Sequence, residues 1–78
     1  MKKYALVADV IDYTTDGKPY IFPSIECVGS LKVCENNLRM QLQDLRVEYQ
    51  SKPTVYGTYF VNATDKDGLK YTFVIQAI

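Results

Sequence analysis

Histidine and tryptophan are both missing from this chain, and cysteine occurs only twice. Without histidine there is no imidazole to act as a general base near neutral pH. Neither Cys27 nor Cys34 can then be activated as a cysteine–histidine nucleophile. Two cysteines with six residues between them also fall short of the four ligands that a structural zinc site uses. On one strand, residues 27 and 34 would point to opposite faces. They therefore read as reduced structural thiols with no bond between them. A glycine-rich phosphate loop is missing too. The carboxylates are scattered singly, except that Asp65 and Asp67 share a turn, where aspartates bind nearby backbone amides. A calcium loop needs further oxygen donors at alternating positions. An enzyme is therefore not expected, and no catalytic residue, metal ligand or cofactor is assigned.

Net charge is missing as well, with nine Lys plus Arg against nine Asp plus Glu. A general nucleic-acid binder is ordinarily more basic, so only a local basic stripe is compatible with this balance. No apolar run approaches the twenty or so residues of a membrane span. The run Tyr4-Ala5-Leu6-Val7-Ala8 is too short, and too soon broken by Asp9, for a signal peptide, so a cytoplasmic location is expected.

What the chain does have is 47% hydrophobic and 23% charged residues, an ordinary globular composition. Seventy-eight residues make one domain, 1–78. A chain of this size buries only roughly 60–65% of its unfolded surface, and oligomerisation is a common remedy for so thin a core.

Three turn signals divide the chain: Thr15-Asp16-Gly17-Lys18, Glu35-Asn36-Asn37 and Asp65-Lys66-Asp67-Gly68. Runs of two-residue period between such signals predict an antiparallel meander. Residues 4–13 form the first strand. A two-residue turn at Asp16-Gly17 pairs Tyr13 with Tyr20 and Ile11 with Phe22. Tyr4, Leu6, Ala8 and Val10 then face inward with Ile21, Ile25 and Cys27, while Tyr13, Tyr20 and Phe22 face outward. A three-residue loop with a bulge at Gly17 would instead place Val10 opposite Tyr20. Pro19 and Pro23 lack an amide donor, which suits an edge or projecting strand. Gly29 allows a bend, and the strand continues through Leu31 and Val33.

Residues 35–50 admit two readings. A tight turn at Asn36-Asn37 pairs Val33 with Met40 and Leu31 with Leu42, followed by a bulge at Gln43-Asp44. A helix over 35–50 would align Leu38, Leu42, Leu45 and Tyr49 instead. The last hairpin joins 54–63 to the chain end through a type I turn with a bulge at Gly68. It pairs Val61 with Tyr71 and Tyr59 with Phe73 on the inner face, and Phe60 with Thr72 and Asn62 with Lys70 outside. Short bulged strands curl readily, so the expected fold is all-β: a five-stranded antiparallel OB-like barrel with a projecting β-hairpin. The alternative is an α+β domain with the helix near 35–50.

Seven tyrosines and three phenylalanines are the remaining signal. Tyr13, Tyr20, Phe22, Tyr56 and Phe60 fall on the outward phase. Lys18, Arg39 and Lys70 lie on that surface or in the turns beside it. Rings on which bases can stack, interleaved with cations that follow phosphates, suit single-stranded nucleic acid.

The segment Gly17-Lys18-Pro19-Tyr20-Ile21-Phe22, with Cys27 seven residues after Tyr20, resembles the filamentous-phage single-stranded-DNA-binding proteins, the gene-five family. Pro53 and the run Gly57-Thr58-Tyr59-Phe60-Val61 are similar to a second block of that family. The resemblance implies a DNA-binding wing on the first hairpin, with Lys18 on phosphate and Tyr20 and Phe22 against bases. It also implies a homodimer whose axis lies near the Asp65–Gly68 hairpin, working in a host cytoplasm. The expected function is a non-catalytic protein that coats single-stranded DNA. The alternative is a small protein-binding module or regulatory inhibitor that uses an aromatic face or an edge strand.

Overall fold

The computed structural model describes residues 2–13, 17, 19–51 and 59–78, with the backbone alone at Tyr13 and Pro19. β1 (Tyr4–Tyr13) and β2 (Pro19–Gly29) form a long hairpin. α1 (Leu31–Leu42) follows, and β3 (Arg46–Gln50), β4 (Tyr59–Thr64) and β5 (Lys70–Ala77) complete the chain. The strands lie in the order β2-β1-β5-β4-β3, and every pairing is antiparallel. The expected antiparallel, five-stranded β class holds. The described pairings leave β2 and β3 as open edges, so they do not close the sheet into a barrel.

α1 corrects the strand reading over Leu31–Leu42 and moves the alternative helix of 35–50 to an earlier start and an earlier end, while the strand reading holds over Arg46–Gln50. Ser30 sets that start: its hydroxyl accepts from the Val33 amide at 3.2 Å and its carbonyl accepts from the Cys34 amide at 3.1 Å. Leu31, Cys34, Leu38 and Leu42 then recur at helical spacing and meet the sheet. Val33 and Met40, the residues that favoured a strand, are 49% and 70% exposed. The helix ends at a turn in which the Leu45 amide donates to the Leu42 carbonyl at 3.1 Å. Residues 46–50 then run as the edge strand β3.

The core lies between α1 and one face of the sheet. Leu6, Cys34, Val61 and Ile75 are fully buried, with Phe73, Leu38, Ala8 and Ala63 close behind. On the strands these are the residues that alternate inward: Tyr59, Val61 and Ala63 pair with Ile75, Phe73 and Tyr71. The predicted inner face of the last hairpin is therefore correct, but its register is shifted by two residues. Phe60 opposes Val74 and Lys70 opposes Thr64. The cause is the position of the turn, not its length: it closes at Asp65 and Leu69, one residue later than that register requires, and keeps the expected type I form, with the Gly68 amide donating to the Asp65 carbonyl at 3.1 Å. The Asp65 amide donates to the Leu69 carbonyl at 3.0 Å, and the Asp65 carboxylate accepts from the Asp67 and Leu69 amides at 2.9 and 2.8 Å. Gly68, at φ +85°, supplies the left-handed residue the turn requires. An even shift leaves every side chain on its original face.

The first hairpin behaves differently. Tyr13 pairs with Pro19, Asp12 with Tyr20, Val10 with Phe22 and Ile11 with Ile21, one residue away from the two-residue-turn register. A one-residue slip exchanges faces. Tyr20 and Phe22 thus share the face of Leu6 and Ala8, while Ile21 and Ile25, expected in the core, face away from α1 and are 59% and 72% exposed. A bulge between Leu6 and Val7 then returns Cys27 to the inner face, opposite Leu6.

Candidate interaction surfaces

The sheet has two faces and the single described helix covers only one of them. On the uncovered outer face the registers align Phe60, Val74, Val7 and Ile25 in a continuous row across β4, β5, β1 and β2. The next row holds Tyr49, Asn62, Thr72, Asp9 and Pro23, and the one beyond it Arg46, Thr64, Lys70, Ile11 and Ile21. The rows are cross-linked by side chains. Tyr49 meets Phe60 edge to face, with ring centroids 6.4 Å apart. The Thr72 hydroxyl donates to Asn62 at 3.1 Å, and the Thr64 hydroxyl donates to Glu48 at 2.7 Å. Ser51 ties β3 to β4, its hydroxyl accepting from the Phe60 amide at 2.9 Å. The result is an apolar and aromatic strip, edged by hydroxyl and amide groups, with Asp9 in the second row, Lys70 and Arg46 in the third, and Glu48 bound to Thr64.

The second surface is the part of the inner face beyond the helix. Tyr20 and Phe22 project there, 45% and 57% exposed. Asp12 stands directly across from Tyr20. Asp12, Asp65 and Asp67 line a shallow groove of about 330 Å³ that Ile11 and Leu69 also line. Among the described residues, no three acidic or thiol groups are gathered closely enough to hold a metal ion.

A third feature is a groove of about 340 Å³ between α1 and the sheet, lined by Leu38, Leu42, Glu35, Arg39, Gln50 and Tyr59. Burial pushes the Tyr59 hydroxyl above its ordinary range, Glu35 adds to the shift, and Arg39 opposes it. The phenol therefore lies within the field of both charges.

The residues proposed from the sequence are divided among these surfaces. Tyr20 and Phe22 stand together on the helix-side face of the hairpin. Phe60 and Lys70 lie on the opposite face of the sheet, in different rows. Arg39 is on α1, beside Tyr59. Lys18 and Tyr56 lie outside the described residues, as does the side chain of Tyr13. Val7, Ile25, Val74 and Tyr49 were not among the expected surface residues. Alternation alone marks Val7 and Val74 as facing away from Leu6 and Ile75, but aligning them in one row needs the cross-strand register. Comparison with protein families, curated proteins and solved structures found no match for the chain.

Proposed function

We propose that this chain is a non-catalytic protein-interaction module that docks through the outer face of its sheet, with a second copy of itself as the occupant. The observation that carries this reading is the row Phe60–Val74–Val7–Ile25, an apolar strip across four strands with no covering layer among the described elements. Aromatic and aliphatic side chains with few charges typify the centre of a protein interface. The charges at its borders favour a like partner. A two-fold-related copy brings Lys70 and Arg46 to a surface that offers Asp9 and Glu48, and the reverse. A thin, one-sided core gains from such a contact. No helix among the described residues is long and apolar enough to cross a membrane.

Sedimentation velocity across micromolar to near-millimolar concentrations tests the reading. The chain should dimerise, and Ile25→Lys, at a position 72% exposed, should weaken the dimer by about tenfold or more while leaving the fold intact. A monomer at every concentration, or a dimer indifferent to Ile25→Lys, would refute it.

A second reading keeps single-stranded DNA as the ligand and the gene-five resemblance as its motive. It is favoured by one specific observation. Tyr20 and Phe22 lie two residues apart on an extended strand, on one face, with both rings open to solvent. Successive same-face positions on a strand are ~6.6 Å apart, which spaces two rings for stacking by successive bases. Asp12 and the neighbouring aspartates oppose phosphate at this end of the sheet. Fluorescence titration with an oligothymidylate at low salt decides this reading: saturable binding lost in Tyr20→Ala supports it, and no binding ends it.

A further inference from the structure

The two cysteines come from different elements and meet in the core. Cys27 lies on β2, opposite Leu6, and its side chain is half-buried against the cluster that contains Cys34. Cys34 lies on the first turn of α1, is fully buried, and its thiol donates to the Tyr4 carbonyl at 3.6 Å. The expectation that the pair would diverge assumed one continuous strand. The break at Gly29-Ser30 folds residue 34 back over β1 and β2 instead.

We propose that Cys27 and Cys34 form a reversible intramolecular disulfide on contact with a small-molecule disulfide, with Cys27 as the entry thiol and Cys34 as the resolving one. Accessibility sets the roles, since Cys27 retains solvent contact and Cys34 has none. The Cys27 thiolate attacks one sulfur of oxidised glutathione, forming a mixed disulfide and releasing one glutathione thiolate. The Cys34 thiolate then attacks the Cys27 sulfur and releases the second glutathione. The two cysteines lose two electrons and two protons, and the glutathione disulfide gains them as two thiols. Burial pushes the Cys34 thiol above its ordinary range, and the adjoining Cys27 thiol raises it further, so the second step is the slow one. Only six residues separate the pair, and α1 already holds them together, so closing the loop costs little further entropy. The bond ties the start of α1 to the edge strand β2. That gives the fold a redox-controlled clamp independent of its outer face.

Intact-mass spectrometry of the full chain incubated with oxidised glutathione tests this. The wild type should pass through a glutathione adduct to a species about two mass units lighter than the reduced chain. Peptide mapping should join Cys27 to Cys34 within one chain, and dithiothreitol should reverse the change. Cys34→Ala should stop at the adduct on Cys27. Should that variant fail to fold, Cys27→Ala serves: its buried Cys34 should resist the reagent until the protein is unfolded. A wild-type chain that ends as a stable adduct, as a disulfide between two chains or with both thiols unreacted overturns the proposal, as does ready labelling of Cys34 in native Cys27→Ala.

Discussion

Phe22 stands directly across from Val10 on the β1–β2 hairpin, on the face of the sheet to which α1 is packed, yet its ring is 57% exposed. On the same face of β1, Leu6 and Ala8 are 0% and 2% exposed. The difference is one of reach. Twelve helical residues span ~18 Å, whereas a ten-residue strand such as β1 spans ~33 Å. The helix therefore seals one end of the inner face and leaves the other open.

The first prediction follows from this boundary. In urea unfolding, Tyr20→Ala and Phe22→Ala should each stay within about 0.5 kcal/mol of the wild type, as ordinary surface positions do. Phe73→Ala, at a residue 1% exposed, should cost about 3–5 kcal/mol. A comparable loss at Phe22 would mean that its ring is covered in the free protein.

The second prediction concerns the start of α1. The Ser30 hydroxyl caps the Val33 amide, and removal of such a cap costs about 1 kcal/mol. Ser30→Ala should lower stability by that amount in urea unfolding. Ser30→Asp should restore it, because a carboxylate caps the same amide and suits the positive end of the helix. Equal loss in both variants would show that the hydroxyl acts some other way.

Legibility divides along physical lines. The inner residues of β4 and β5 follow from alternation alone, and even a two-residue error in register kept Phe73, Val61 and Ile75 inside. The first hairpin was less legible because its register depends on turn length. An odd error exchanges faces, which is why Ile21 and Ile25 proved exposed. The start of α1 was present in the sequence as Ser30 followed by Leu31, Cys34, Leu38 and Leu42, but Val33 and Met40 imitate a strand. Of the proposed contact residues, Tyr20 and Phe22 do reach solvent. The outer row could not be read from sequence, since it joins residues of four strands.

The third prediction tests the Asp65 turn. Its carboxylate holds the amides of Asp67 and Leu69, and Gly68 adopts φ +85°. Asp65→Ala should cost about 1–2 kcal/mol through the loss of these bonds. Gly68→Ala should cost about 1–2 kcal/mol through the left-handed backbone alone, since open space surrounds the added methyl group. Thermal unfolding of both single variants measures the two effects.

The fourth prediction is an alkaline limit to stability. Burial raises the Tyr71 hydroxyl above its ordinary value of 10.0, followed by the Asp65 charge, the bond its hydroxyl donates to Asp65 and the Asp67 charge. Tyr59 is raised by burial and by Glu35, against the opposing pull of Arg39. A phenol whose folded value exceeds its unfolded one holds its proton more tightly when folded. Its contribution is complete below pH 10.0 and is lost as pH climbs through the raised folded value. Unfolding free energy should therefore decline above that pH in the wild type, and more gently in Tyr71→Phe and Tyr59→Phe. Phenolate absorbance separates the sources. Asp65→Asn should bring the Tyr71 titration downward, Glu35→Gln should do the same for Tyr59, and Arg39→Gln should drive Tyr59 further up. Tyrosine titrations unmoved by all three would mean that burial alone sets these values.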